Sequence, residues 1–553
     1  MMHTNGLVPR TRALTPPSHA NMKRTLSKAS ALLLLLACSV VTARAQSSKL
    51  PTPERVINDY VKAVGGGKRL AALRDATYEW AVLRAGADAG TARTHLKTTG
   101  ALRSDLLLND GETDSAANAR TAWARTPDGR LRTLTDSEAF SARLRATLEA
   151  AWFADFKKQK VLARTVARED VNGEPAYLLE FSTRAGARLR YWFGATSKLL
   201  LQMSDEARRT RVRFADWRTH QGSPLLTEPH RVEIEHEGEP ALTLRLSAAS
   251  YNTGLADSLF EPPADSTLDI PALLRDLSKN QEEDDKRVND YTFTQKVTER
   301  EVDDKGQVKK EKVSVYEVYP IADYGWVEKL VVENGTPLSP ERAAKEEKRT
   351  AEELEKAERE APKLKQKREQ KRAERRAKRR AKSSDKAKGG GAGEGNEETD
   401  DDVEISTFLR ACEFFSPRRE HFRERDVIVF DFRPRTGFRP STMGETIVSK
   451  LSGVIWIDPA ERQVVRLEAR LVDSFKMGGG LVASIKPGSA FIFEQTRLPE
   501  GVWMPRFSQV NASARVFLFA GMSINQTREF GDFKRFSAKT GEDKLDAPKP
   551  EKQ

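Results

Sequence analysis

The sequence predicts an α+β protein made mainly of antiparallel sheet, interrupted by one charged segment unlike the rest, and three observations predict it. Short runs alternate apolar with polar residues, as Leu242, Leu244 and Leu246 do with Thr243, Arg245 and Ser247, and Val212 and Phe214 with Arg211 and Arg213. That period of two marks a half-buried strand with one wet face. The dipeptides Asp128-Gly129, Asn172-Gly173 and Glu237-Gly238 stand between such runs as turn signals. Finally, the order of elements recurs on either side of the charged segment.

Residues 1–45 read as an upstream extension and a secretory signal peptide. Met22 opens a basic stretch with Lys23, Arg24 and Lys28, an apolar run follows from Ala29 to Val41, and Ala43-Arg44-Ala45 supplies a small-residue cleavage site. The run is shorter than the ~20 residues that a bilayer requires, so export rather than anchoring is the expectation. Leu35-Leu36-Ala37-Cys38 offers a competing lipoprotein site that would leave Cys38 lipidated and the protein tethered. After cleavage at Ala45 only Cys412 remains, and no intrachain disulfide can form. In Phe408-Leu409-Arg410-Ala411-Cys412 a buried thiol is expected rather than a reactive one.

An amphipathic helix is expected around Val56, Tyr60, Val61 and Val64, stopped by Gly65-Gly66-Gly67, and a second along Phe140, Leu144, Leu148, Trp152 and Phe156, whose four-residue spacing makes one long apolar stripe. Strands follow at Ala176–Phe181, Tyr191–Phe193, Lys198–Met203 and Val212–Trp217. In the second half a helix is expected over Val403–Phe415, followed by strands at Val427–Phe432, Gly453–Asp458, Val464–Leu467 and Ala490–Glu494. The two halves match in order and spacing without much identity, which two copies of one β-domain explain. The resulting organisation is 1–45 leader, 52–265 first domain, 266–286 helical linker, 287–538 second domain with insert 339–402, and 539–553 as a disordered tail.

The insert accounts for the charge. The chain carries +12, yet Lys363 to Lys388 alone holds 14 basic and 3 acidic residues, and the leader holds six Lys/Arg and no acid. The folded remainder is therefore mildly acidic, which argues against nucleic acid as a partner. Ser339-Pro340-Glu341 starts a helix. Few apolar residues follow, so a solvated helix, coiled-coil-like in composition, or a disordered segment is expected. Contact with an anionic membrane surface or a membrane protein is the alternative reading of the basic tract.

Several pieces of the chain resemble the LolA-like family of outer-membrane lipoprotein-sorting and envelope lipid-binding proteins: Tyr60 to Gly66, Phe214-Ala215-Asp216-Trp217, Pro229-His230-Arg231, Asn252 to Pro262, and in the second half Leu451 to Asp458 and Gly501-Val502-Trp503-Met504-Pro505. The resemblance implies two strongly curved antiparallel sheets, incomplete β-barrels each covered by helices, with an apolar space for acyl chains. It implies a periplasmic carrier or binding protein for lipid or lipoprotein acyl chains; the alternative is an envelope interaction or sensor protein that uses the same fold to bind a partner polypeptide. Trp80, Trp123, Trp192, Phe214, Trp456 and Trp503 are the candidate cavity liners, with ordinary core aromatics as the competing reading.

No enzyme is expected. The chain lacks Gly-x-Ser-x-Gly, His-Glu-x-x-His, Gly-x-x-x-x-Gly-Lys and Cys-x-x-Cys, and no catalytic residue, cofactor or metal is assigned. His230 and His236 share a strand face but stand roughly 20 Å apart at ~3.3 Å per residue, too far to share an ion. Gly478-Gly479-Gly480 opens no helix with Lys-Ser/Thr and is expected to be a loop.

Overall fold

A computed structural model describes residues 50–535 except 184, 220–223, 278–286, 288–289, 303–307, 322–323, 386–407, 409, 478–482 and 517–521. The segment expected to be a signal (with Cys38), Gly478–Gly480 and the C-terminal residues from 536 lie outside the described residues. From Leu50 onward the chain forms one compact unit. Two large antiparallel sheets dominate it, each an open path of paired strands rather than a closed barrel.

The first sheet has 13 strands and an unusual centre. Its opening strand, Asp75–Arg84, pairs with the next, Ala87–Lys97, on one side and with the last, Leu242–Tyr251, on the other. Two meanders wind outward from this centre and end on edge strands Leu131–Thr133 and Leu162–Val171. The two edges are consecutive in sequence, so the segment joining them must cross the opening between them. The second sheet, also of 13 strands, repeats the arrangement: Tyr291–Val302 pairs with Val308–Ile321 and with the final strand, Met522–Arg535.

Helix α1 (Pro53–Ala63) covers the expected apolar positions and opens at Thr52. Thr52 accepts a hydrogen bond from Arg55 N, Pro53 occupies the first turn, and Val56, Ile57 and Tyr60 are buried. Gly66 stops it at φ +88°, its N–H returning to the Val61 carbonyl at 2.8 Å. A single turn and a half, α2 (Gly67–Ala71), leads into the sheet.

Helix α3 (Asp136–Glu149) bridges the edges of the first sheet. The predicted stripe is helical only to Glu149, because Trp152, Phe153 and Asp155 adopt positive φ. That turn swings Phe153 into the sheet's interior, where its ring lies 4.8 Å from Tyr191, 5.5 Å from Phe193 and 5.7 Å from Tyr60. Edge-to-face pairs of this kind add ~0.5–1.5 kcal/mol each beyond burial. The concave interior of the first sheet is thus filled by its own aromatic residues and one continuous core.

The second sheet has less helical cover than expected. A helix at residues 270–277, α4, buries Ile270, Leu274 and Leu277 against Ile428, Phe430, Ile455 and Ile457, and a short helix, Met443–Val448, places Val448 in a cluster with Cys412 and Phe432. The helix expected over Val403–Phe415 is corrected at its C-terminal end: Cys412–Phe422 is a strand, Cys412 pairing with Pro434. As a strand, the segment packs Cys412 with Phe432, Val448 and Ala469 and brings Phe414 against Phe430 and Phe432, so apolar burial against Arg425–Pro434 decides its conformation. The Cys412 thiol is buried, and burial pushes it up to about 12.

The charged insert forms a long helix, α5 (Pro340–Asp385). It is not wholly solvated: Thr350 and Ala357 are buried, Arg349 donates to the Glu328 carbonyl, and Glu346 accepts from Leu330 N at 3.0 Å. Its first turns therefore dock on strand Gly325–Glu333, using polar contacts that an apolar-periodicity reading does not register. Among the described residues no helix is long and apolar enough to cross a membrane.

Candidate ligand-binding cleft

Buried charge joins the two sheets. Arg418, on strand Cys412–Phe422, donates to Glu420 at 2.7 Å, to Asp431 at 2.9 Å and to the Thr133 hydroxyl at 2.6 Å. Thr133 belongs to the edge strand of the first sheet, and its N–H and hydroxyl donate to Glu420 at 2.7 and 2.6 Å. Nearby, Arg466 reaches Asp136 of α3 at 2.6 Å while holding Glu468 at 2.8 Å and Glu494 at 2.7 Å. Each cation is over-supplied with acceptors, as a charge removed from water requires.

Beside this seam lies a cleft of about 1220 Å³. The first sheet's side is α3 with the segment after it and the neighbouring edge, including Phe140, Arg143, Leu144, Phe156 and Lys160; the second sheet's side includes Val454, Arg470, Lys486, Phe491 and Ile492. The apolar surface is unusual for its exposure: Phe491 is 38% accessible and stacks nearly parallel on Phe493. Ser452 Oγ, Asn511 Oδ1 and Asn525 Oδ1, all on lining residues, are buried without a hydrogen-bond partner among the described residues. Such groups normally find one.

The charged lining is uneven. At the outer wall Glu180 is nearly buried yet ion-paired, with Arg164 at 2.7 Å and Arg190 at 3.3 Å; burial raises its carboxyl, but these partners and Arg188 bring it below the ordinary range. The inner wall carries Arg120, Arg143 and Arg470. Arg120 is satisfied in part, by an ion pair to Glu261 and by stacking over Phe415 at 4.8 Å. Arg143 donates to the Arg120 carbonyl at 3.1 Å and stacks on Phe140. Burial, then the charges of Arg143 and Arg120, pull Arg470 down to about 10.

The six aromatic residues singled out in the sequence lie elsewhere, and none lines this cleft. Trp80 packs in the first core with Phe214 at its margin. Trp123 is buried and donates to the Phe260 carbonyl at 3.2 Å. Trp192 belongs to a small separate cluster with Val171, Ala176 and Leu178. Trp456 and Trp503 share a core cluster in the second sheet, Trp503 donating to Glu461 at 2.8 Å. His236 hydrogen-bonds Thr210 at 2.9 Å, and among the described residues no group of three or more His, Cys, Asp or Glu is placed to hold a metal ion.

Two open antiparallel sheets thus meet at a cleft whose lining mixes apolar and basic residues. No protein-family model matches the sequence, and no curated protein matches it. Solved structures similar to parts of it include a DUF1329 family protein from Desulfovibrio piger, at 16% identity over 38% of this chain and 96% of that one, TM-score 0.27. A LolA superfamily protein from Nitrosomonas europaea matches at 13% identity over 40% of this chain and 100% of that one, TM-score 0.27. A complex of MucB with MucA(peri) matches at 9% identity over 88% of this chain and 99% of that one, TM-score 0.14.

Proposed function

We propose that this chain is an exported carrier or binding protein that takes up lipid, or the acyl chains of a lipoprotein, in the cleft between its two sheets. One observation carries the reading: a cleft of about 1220 Å³, with Phe140, Leu144, Phe156, Val454 and Phe491 in its lining, stays open where the sheets meet. Small-molecule sites commonly measure ~300–1,000 Å³, so a chain with its head group fits. Apolar surface withdrawn from water there gains ~25 cal/mol per Å². In this reading the two sheets are two copies of one LolA-like unit, supported by their common pairing of first strand with last. The site is assigned no catalytic role.

Protein purified from an envelope extract is expected to yield bound lipid by lipid-extract mass spectrometry and to take up a fluorescent fatty acid saturably. Absence of both overturns the proposal. A second reading, capture of a partner polypeptide, is favoured by edge strand Leu162–Val171, whose outer side has no strand partner among the described residues and where Val166 is exposed. Such an edge can accept an added strand. It predicts a lipid-free preparation that binds an extended peptide.

A further inference from the structure

Arg470 is the least expected side chain in the cleft. It stands on strand Gln463–Leu471, opposite Ser452 on one neighbour and Ala490 on the other. It is half-buried in the cleft wall, yet among the described residues it has no carboxylate within ion-pairing range, and neither has Arg143. The acids in the neighbourhood are already engaged: Glu468 by Arg466, and Glu261 by Arg120. Elsewhere the same protein surrounds an enclosed arginine with two or three acceptors, as at Arg418 and Arg466. Enclosing like charges without a counter-charge costs stability, and a site that bears such a cost without structural return is suited to a ligand that supplies the missing anion.

We propose that the cleft selects an anionic amphiphile, its carboxylate or phosphate head group held by Arg470, Arg143 and Arg120 and its chain lying on Phe140, Leu144 and Phe491. This rests on the carrier reading and sharpens it by naming the head-group chemistry. Guanidinium groups suit the role because their planar donors match carboxylate and phosphate oxygens in pairs. Arg143 and Arg120 are held by stacking on Phe140 and Phe415, so both are positioned before a ligand arrives.

The test uses the full chain after the leader and calorimetric titration with two probes of one acyl chain, oleoyl lysophosphatidic acid and monooleoylglycerol, plus inorganic phosphate alone. Lysophosphatidic acid should bind at least about tenfold more tightly than the neutral probe. Arg470→Gln and Arg143→Gln should each abolish that preference while leaving the neutral probe's affinity unchanged, and Arg470→Lys should keep part of it. Arg470→Gln should melt no lower than the parent without ligand, since it removes a repelling charge. If that variant does not fold, Arg143→Gln decides, together with salt: raising NaCl from about 50 to 500 mM should weaken the anionic probe alone. Equal affinity for both lipids overturns the head-group proposal and leaves the carrier reading standing. Binding of neither lipid overturns both. Inorganic phosphate binding as tightly as lysophosphatidic acid makes this a site for a free anion and overturns the amphiphile.

Discussion

Arg418→Met is the most informative single change at the seam between the sheets. Arg418 is 2% exposed and its partners Glu420 and Asp431 are 1% and 0% exposed, so solvent cannot replace the lost cation. Methionine fills most of the stem volume, which limits the packing loss and isolates the electrostatic one. Removing one member of a buried pair costs ~3–5 kcal/mol, chiefly through the charge left behind; here two carboxylates and the Thr133 hydroxyl lose the same donor. The pH dependence follows from Asp431. Burial already raises its carboxyl above the ordinary range, Arg418 only partly offsetting it, and Asp431 Oδ2 has no hydrogen-bond partner among the described residues. Without Arg418 the folded carboxyl rises further, so the folded chain keeps a proton that the unfolded chain releases above about pH 4. Stability then falls as pH rises through that window, and the deficit should be large at pH 7 and smaller near pH 4. Urea melts of parent and variant at both pH values measure it. A loss below about 1 kcal/mol at pH 7, or one that grows on acidification, would refute the electrostatic account of this seam.

Other expectations concern the fold. Gly453→Ala should prevent the second sheet from forming, because an added Cβ would lie 1.8 Å from the Glu468 carbonyl oxygen; loss of soluble protein is the readout, and a normal melt contradicts it. Cys412 should resist a thiol reagent in the native protein and react fully in denaturant, given its burial and raised thiol. Deleting residues 363–402 should shift stability by under ~1 kcal/mol, whereas Ala357→Asp, which buries a charge at a fully covered position, should cost ~2 kcal/mol or more and free the start of α5. Equal melts for all three chains would show that α5 does not dock.

Much of the local structure was legible because it depends on neighbours in sequence. The alternation at Leu242–Leu246 lies in a strand, and Asn172-Gly173 turns with both residues at positive φ, as a two-residue hairpin requires. Helix α1 was marked by its apolar spacing and by the Gly65-Gly66 stop, while its cap at Thr52 emerged only in the structure. What failed depended on distant partners. The stripe from Phe140 to Phe156 gave no sign that the backbone turns left-handed at Trp152, because the reward for that turn is Phe153 meeting Tyr60 and Tyr191. Phe408 and Cys412 share a helical spacing, yet Cys412 pairs with Pro434 in a sheet.

The cleft was the least legible feature. The aromatic candidates Trp80, Trp456 and Trp503 sit in core clusters, where large apolar groups bury most area. The basic wall joins residues 120, 143 and 470, which only the meeting of two sheets brings together. In a chain with 93 Lys and Arg, three scattered arginines read as surface. No local signal marks Arg470: Arg466, Glu468 and Arg470 alternate along one strand face, and only the fold gives Glu468 to Arg466.

Whether acyl chains enter between the sheets is tested most directly by blocking the cleft from a position that bears no charge. Ala490, a half-buried lining residue on strand Ala490–Arg497, can carry an indole into the open volume. A fluorescent fatty acid should bind the parent saturably near one per chain, and Ala490→Trp should lose that uptake by about tenfold or more with its melting curve retained. Undiminished uptake by a folded Ala490→Trp, or no saturable uptake by the parent, would contradict the account.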